Sequence, residues 1–213
     1  MKLYTYFRSS AAYRLRIALA LKGIAYESAF VHLRNGAQHA EDYDALNPQH
    51  FVPTLVDGAH VLTQSLAQIE YLDETHPSPP FLPAAPAERA RVRALALTVA
   101  CEMHPLNNLR VLKHLGSVLG LSEEARNAWY RHWIDEGFGP LERMLSDSPA
   151  TGRFCHGDNP GLADICLVPQ VYNAERYDCP LEAYPTIRRI NAACLELPEF
   201  QAAAPSRQPD AEG

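Results

Sequence analysis

Cysteine is absent from the first 100 residues of this 213-residue chain. The chain has five cysteines, an odd number, and no pair has the Cys-x-x-Cys spacing of a dithiol or zinc site. A disulfide framework and a metal centre are therefore not expected, and the thiols are expected to be free. These cysteines are Cys101, Cys155, Cys166, Cys179 and Cys194.

Positive charge and long apolar runs are also scarce. Lys and Arg total 19 against 25 Asp and Glu, which gives a formal net charge of -6 and argues against a nucleic-acid partner. No apolar run is long enough to span a bilayer, and the start Met1-Lys2-Leu3 lacks the apolar core of a signal peptide. We therefore expect a cytoplasmic protein with no membrane partner, whose 47% hydrophobic residues can form a sizeable core.

A strand, a polar loop and a helix are predicted at the start of the chain. Residues Met1–Phe7 alternate between two faces, as a strand does. From Ser10 onward, apolar side chains recur at four-residue spacing until Gly23, which ends the predicted helix. Ser9 and Ser10 then lie at a helix N-terminus, where free N–H groups and the helix dipole favour an anion by roughly 0.3–1 kcal/mol. Either serine can simply cap this helix, or it can hold a thiolate.

Further turn and helix signals follow in a regular order. A strand is predicted over Ala25–His32, and Asp57-Gly58 is typical of a hairpin turn. Ser65 and Gln68 have the spacing of a capping box at the start of the next helix. The sequence therefore predicts a second helix N-terminus that can receive an anion.

A proline-rich segment separates this region from a helical one. Five prolines within His76–Pro86 exclude a helix and indicate a linker, so we place one domain at 1–78, the linker at 79–86 and a second domain at 87–213. His104-Pro105 interrupts the first helical pattern, and the tail after Pro205 is expected to be loose. The predicted helices cover Ala87–Leu115, Ser122–Leu145, Leu162–Tyr177 and Thr186–Leu197.

Four motifs together carry a family resemblance. They are Tyr6-Phe7-Arg8-Ser9-Ser10, Val52-Pro53-Thr54-Leu55, Gln64-Ser65 and His104-Pro105-Leu106-Asn107-Asn108. With them, the chain resembles the zeta-class glutathione transferases over nearly its whole length. The resemblance implies an α/β thioredoxin-like N-terminal domain plus an all-α C-terminal domain, the glutathione transferase fold. It also implies a homodimer and glutathione as cosubstrate, and because the first domain has no cysteine, the reactive thiol must come from outside the protein.

The resemblance also assigns candidate glutathione contacts. Ser9 or Ser10 would hold the sulfur, and the Val52 backbone before a cis Pro53 would pair with the peptide of glutathione. The remaining contacts implied by the resemblance are Gln64 and Ser65 at the γ-glutamyl end, together with Gln38, His104 and Asn108. Taken without the resemblance, Gln64 and Ser65 read as an ordinary helix cap, and His104 reads as a histidine bonded to the backbone at a helix kink.

The activity implied by the resemblance is cis–trans isomerisation of an enedioyl dicarboxylate, with maleylacetoacetate as the first candidate substrate. Arg8, Arg110 and Arg176 are candidates for binding the carboxylates, because guanidinium matches carboxylate bidentately. Many zeta-class members have a cysteine after the paired serines, whereas this chain has Ala11, which leaves Ser9, Ser10 and Arg8 as the catalytic candidates. Maleylpyruvate isomerisation, transfer or dehalogenation of α-halo acids, and a non-catalytic binding module remain alternatives.

Overall fold

The computed structural model describes residues 1–212, and these pack as two compact units. The first unit comprises Met1–Phe81 together with the segment that begins at Leu195, and the second comprises Leu82–Cys194. Within the described residues, no helix is both long enough and apolar enough to cross a membrane.

A mixed four-stranded sheet forms the centre of the first unit, in the spatial order β2-β1-β3-β4. β1 pairs in parallel with β2 and antiparallel with β3, so that Leu3 lies opposite Ser28 on one side and Leu55 on the other. The predicted hairpin turn is confirmed, with Gly58 at φ 57° between β3 and β4. The strands are β1 (Lys2–Thr5), β2 (Glu27–Phe30), β3 (Thr54–Asp57) and β4 (His60–Leu62).

Nine α-helices occur in the described chain, and a π-helix at Thr98–Met103 follows the fourth of them directly. Short 3-10 helices lie at Ala37–His39 and Pro205–Arg207. The α-helices are α1 (Ser10–Leu21), α2 (Glu41–Asp44), α3 (Ser65–Thr75), α4 (Pro86–Leu97), α5 (Leu109–Ser117), α6 (Glu123–Ser146), α7 (Leu162–Arg176), α8 (Pro185–Leu195) and α9 (Pro198–Ala203).

Helix α1 is the central helix of the first unit. Its side chains Leu15, Ile17 and Leu19 are fully buried, and it packs against both α3 and α9. The arrangement of sheet and helices confirms the predicted thioredoxin-like architecture. α9 belongs to this unit because it lies along α1, whereas the sequence-based boundary assigns residues after Leu195 to the helical domain.

The tail is ordered from Pro205 to residue 212, so the prediction of a loose tail is wrong for these residues, while Gly213 lies outside the described residues. It forms a 3-10 helix, and the Gln208 side-chain amide donates to Ala202 O at 2.9 Å and to Ala204 O at 3.0 Å. Further along, Asp210 Oδ2 accepts a hydrogen bond from Phe7 N at 2.9 Å. The bond between Asp210 and Phe7 joins residues far apart in sequence, so no local pattern predicts it.

The second unit is helical, as predicted. The predicted interruption at His104-Pro105 is confirmed, because the π-helix ends at Met103 and α5 begins only at Leu109. α7 is buried along most of its length, and it packs against α4 and the π-helix. The buried carboxylate of Asp164 caps its first turn by accepting from Gly161 N at 2.9 Å.

Candidate active site

Ser9 is the N-cap residue of α1. Its Oγ accepts a hydrogen bond from Ala12 N at 3.2 Å, and its main-chain N donates to Tyr6 O at 3.0 Å. A hydroxyl that accepts this capping bond still has its own hydrogen to donate to an anion. Ser10, by contrast, is the first helical residue and is only 9% exposed. Of the two candidate serines, Ser9 therefore presents its hydroxyl at the positive end of the helix.

Arg8 places a cation beside this cap. Its guanidinium carbon lies 5.5 Å from the centre of the Phe7 ring, and its charge acts on the Tyr6 hydroxyl. Burial raises the pKa of Tyr6, and the charge of Arg8 opposes that rise. Arg8 itself is only partly buried, so the cation next to Ser9 can reach a ligand carboxylate.

The loop at Val52-Pro53 has the cis peptide bond that the resemblance implies. Tyr43 Oη donates to Phe51 O, and Asn47 Nδ2 donates to the same carbonyl at 2.9 Å, which holds the loop from inside. The Val52 main chain makes no hydrogen bond with another residue in the range 1–212. A main chain without a hydrogen-bond partner can pair with the peptide group of a ligand.

The start of α3 differs from the predicted capping box, and that prediction is wrong. The N-cap residue is Gln64, at φ 66° and without a side-chain cap bond, while Ser65 is the first helical residue. The Gln68 side-chain amide donates instead to Pro53 O at 3.1 Å and Leu62 O at 2.7 Å. Two carbonyls near the helix accept from this buried amide, in keeping with the need of buried polar groups for partners. Ser65 is left 8% exposed at the helix N-terminus.

Gln64 reaches a residue that sequence reasoning did not single out. Its Nε2 donates to Gln49 Oε1 at 2.8 Å, so two amide side chains lie together beside the N-terminus of α3. Gln49 follows Asn47-Pro48, a turn signal that gives no indication of a binding role. The pair adds hydrogen-bonding capacity where the γ-glutamyl end of glutathione is expected.

Gln38 lies in the 3-10 helix at Ala37–His39 and is 8% exposed. Its Oε1 is buried and has no hydrogen-bond partner among residues 1–212. A buried amide oxygen without a partner costs free energy unless a ligand or water satisfies it. Gln38 therefore keeps an acceptor that a ligand donor can use.

One apolar cluster brings most of these first-unit candidates together. Tyr6 and Phe7, just before Arg8 and Ser9, pack with Val52 of the cis-proline loop. Ala37, the neighbour of Gln38, packs against the same cluster. Gln68 then joins Pro53 to the helix that begins at Ser65. The candidates from the first unit thus lie on connected elements.

The second unit positions the remaining candidates, beginning with the segment after the π-helix. His104 donates its main-chain N–H to Val99 O at 3.0 Å, and Asn108 caps α5 by accepting from Arg110 N at 3.1 Å. Asn107, which is 5% exposed, donates its side-chain amide to Tyr130 O at 3.1 Å on α6. This bond fixes the segment that carries His104, Asn108 and Arg110 to α6.

Arg176 lies at the C-terminal end of α7. Its Nη1 donates to Asn173 Oδ1 at 3.4 Å. Burial raises the pKa of the Tyr130 hydroxyl, and the charge of Arg176 opposes part of that rise. Tyr130 stacks on Tyr177, with ring centres 3.6 Å apart. Tyr130 therefore contacts both the Asn107 segment and the end of α7. Sequence reasoning missed it, because an aromatic residue within a helical pattern reads as core.

Metal-binding clusters and disulfides are absent from the part of the chain that the structure describes. Within residues 1–212, no cluster of three His, Cys, Asp or Glu side chains could hold a metal ion. All five cysteines are free thiols. The groups available for chemistry are the Ser9 and Ser10 hydroxyls, the amide side chains and the arginines.

Comparison with known proteins identifies the family. Residues 1–74 match the model of the glutathione S-transferase N-terminal domain. The chain is also 53% identical, over 98% of its length and 97% of the relative, to a probable maleylacetoacetate isomerase of Vibrio cholerae. The chain belongs to the zeta class of the glutathione transferases.

Two solved structures are similar to this zeta-class chain over the full length of both proteins. The holo structure of a maleylpyruvate isomerase, described as a bacterial zeta-class glutathione S-transferase, has a TM-score of 0.98 at 50% identity. The maleylacetoacetate isomerase of Methylobacterium extorquens AM1, with bound malonate and glutathione, has a TM-score of 0.97 at 45% identity. The likeness therefore covers the whole chain.

Proposed function

We propose that this protein is a glutathione-dependent cis–trans isomerase that converts maleylacetoacetate to fumarylacetoacetate. The observation that carries the proposal is the Ser9 hydroxyl at the N-terminus of α1, connected by packing to the cis-proline loop and its unpaired Val52 backbone. The names of the full-length relatives support it, and so does the glutathione and malonate bound to one of them.

Glutathione fits the groups that the first unit presents. The Val52 main chain would pair with its peptide, and the N-terminus of α3 at Ser65 would receive its α-carboxylate. Gln64 and Gln49 would bind the γ-glutamyl end, and Gln38 Oε1 would accept one donor. From the second unit, His104 and Asn108 are proposed as further contacts. Ser9 would donate its hydroxyl hydrogen to the sulfur, with Ser10 as the alternative.

Bound glutathione supplies the thiolate that adds reversibly to the cis double bond and leaves again, so it is regenerated. The helix N-terminus and the Ser9 hydroxyl favour the ionised sulfur, because a positive dipole and a hydrogen-bond donor both lower a thiol pKa. Arg8, Arg110 and Arg176 would bind the two substrate carboxylates and stabilise negative charge that develops on the carbonyl side. A protein cysteine cannot act at the position after the paired serines, because that residue is Ala11.

Maleylpyruvate isomerisation is the second candidate function, favoured by the zeta-class maleylpyruvate isomerase that matches at a TM-score of 0.98. The chemistry is the same and the substrate is shorter, so the fold cannot separate the two. Transfer or dehalogenation of α-halo acids would consume glutathione or release halide. A non-catalytic binding module would tolerate loss of both serine hydroxyls.

The quaternary state and the compartment are part of the proposal. A homodimer is expected from the family, and size-exclusion chromatography with light scattering tests it, because a monomeric mass at working concentration would contradict it. A cytoplasmic location remains a prediction, which fractionation of the native cells tests.

The decisive experiment measures turnover of maleylacetoacetate and maleylpyruvate, with and without catalytic glutathione, while total free thiol is followed. The expected result is isomerisation that depends on glutathione and leaves the total free thiol unchanged. The substrate with the higher kcat/KM is then identified as the preferred one. Steady loss of thiol would indicate conjugation instead. Absence of turnover for both substrates would contradict the isomerase proposal.

A further inference from the structure

The C-terminal tail reaches the loop that leads into Ser9. Asp210 Oδ2 accepts a hydrogen bond from Phe7 N at 2.9 Å, although the two residues are 203 positions apart. Phe7 is 5% exposed and stands two residues before Ser9. β1 ends at Thr5 and α1 begins at Ser10, so the Phe7 N–H has no place in either ladder. Its hydrogen bond comes from the tail, as the near-complete pairing of buried N–H groups requires.

The carbonyl of Phe7 is held as well. Arg16 Nη2 donates to Phe7 O at 2.9 Å, and Arg16 Nε donates to Ala203 O, on α9, at 3.0 Å. Arg16 is 1% exposed, so these bonds lie in the interior of the first unit. Both main-chain groups of Phe7 are therefore connected to the C-terminal segment, through Asp210 directly and through Arg16 and Ala203.

The Asp210 carboxylate makes its hydrogen bond to the loop through one of its two oxygens. Its second oxygen, Oδ1, is buried without a hydrogen-bond partner among residues 1–212. Hydrogen bonds to an ionised acceptor are roughly twice as strong as those between neutral groups. A single carboxylate can thus fix the course of the chain at Phe7, and with it the position from which Ser9 begins the helix.

We propose that Asp210 is a positioning residue that places the Ser9 hydroxyl against the sulfur of bound glutathione. The inference rests on the proposed function for the role of Ser9. The C-terminal tail then contributes to the serine site, because it supplies the acceptor for Phe7 N that neither β1 nor α1 provides. If the tail only packed against the first unit, substitution of Asp210 would lower stability without a specific change in the loop before Ser9.

The test compares D210A and D210N with E212Q, a control that weakens a different contact of the same tail, the ion pairs of Glu212 with His32 and Arg34. Asn keeps an acceptor oxygen for Phe7 N, whereas Ala removes it. Hydrogen–deuterium exchange of the segment 5–12, measured without glutathione, reports the position of the loop. The dissociation constant for glutathione and the kcat for isomerisation show how a change in the loop affects binding and catalysis. The unfolding temperature reports general stability.

D210A is expected to speed exchange at residues 7–10 and to lower kcat on the order of tenfold, the effect of losing one hydrogen bond to a charged group. D210N is expected to restore most of the slow exchange and most of kcat. E212Q is expected to leave the exchange rate and kcat unchanged. Unchanged exchange in D210A, no rescue by D210N, or an equal loss in E212Q would each overturn the proposal. A wild type without turnover whose D210A variant still exchanges faster would contradict the isomerase proposal and leave the loop assignment standing.

Discussion

Gln68 donates its side-chain amide to the carbonyl oxygen of Pro53 at 3.1 Å, which joins α3 to the cis-proline loop. The same amide donates to Leu62 O at 2.7 Å, at the end of β4. The residue is fully buried. One side chain therefore connects the two elements expected to bind the peptide and the γ-glutamyl end of glutathione.

Gln68→Ala should weaken glutathione binding and lower stability together. The change leaves two carbonyls without their donor, which costs about 1–3 kcal/mol in the free energy of unfolding. Isothermal titration calorimetry and urea unfolding measure the two effects. Glu74→Ala, at an exposed position on the same helix, is the matched control and should change neither. Glutathione affinity that survives Gln68→Ala would show that the loop does not depend on this contact.

Ser9→Ala should abolish most isomerase activity, while Ser10→Ala should retain more of it. Ser9 caps α1, so its loss also costs about 1 kcal/mol of stability. Ser122→Ala is the matched control, because Ser122 Oγ caps α6 with the same 3.2 Å bond, to Ala125 N. Both cap variants should lose similar stability, but only Ser9→Ala should raise the pKa of the thiol of bound glutathione. The ultraviolet absorbance of the thiolate as a function of pH measures that pKa. A larger effect at Ser10 would assign the thiolate to that residue.

Asp73→Ala should lower the unfolding temperature clearly. Asp73 Oδ1 lies 2.8 Å from Lys22 Nζ and also accepts from Phe81 N at 2.8 Å, which ties α1, α3 and the proline-rich segment together. Loss of a hydrogen-bonded charge partner of this kind costs about 1.5–3 kcal/mol. Thermal unfolding measures it, with Glu27→Gln as control. Glu27 pairs with Lys2 at 3.0 Å on an exposed surface, and its change should have no measurable effect.

Cys101 should be the one cysteine that reacts rapidly with a thiol reagent in the native protein. It is exposed, whereas Cys155, Cys166 and Cys194 are buried. Burial raises the pKa of the Cys155 and Cys194 thiols, and it raises that of Cys179 to about 11. At a pH of about 8, a thiol with such a pKa is ionised in roughly one molecule in a thousand. Ellman's reagent should therefore titrate one fast thiol in the native state and five after denaturation, with the fast one absent in Cys101→Ser.

Rising pH should add reactivity at Cys179 before the buried thiols. A raised pKa means that the thiolate appears only as pH approaches that value, and Cys179 is the partly exposed member of the group with raised values. Mass spectrometry of alkylated peptides distinguishes the sites. Rapid labelling of Cys155 or Cys194 below pH 9 would contradict the burial seen in the structure.

Local signals accounted for several elements of this protein. The alternation before Ser9 and the four-residue spacing after Ser10 place a strand, a loop and a helix where β1 and α1 occur. Asp57-Gly58 marks the hairpin, and His104-Pro105 marks the helix interruption. Each signal acts between residues a few positions apart, through turn geometry, helix periodicity or a missing N–H.

Side-chain hydrogen bonds between distant residues were decided by the tertiary structure alone. Gln68 has the spacing of a capping residue, yet its amide donates to the carbonyls of Pro53 and Leu62. Tyr130 becomes a partner of Asn107 and Tyr177 only because α6 passes between their segments. No local pattern encodes such a choice, because it depends on which unpaired groups the fold brings within hydrogen-bond distance.

The sequence by itself thus determined the order of the elements, the two serines at a helix start, and the absence of cysteine from the first unit up to Phe81. Only the tertiary structure decided that Asp210 would bond Phe7 and that Ser9 rather than Ser10 would cap the helix. The physical reason is that helix and turn preferences are local, whereas satisfying a buried donor or acceptor depends on whatever the folded chain places beside it.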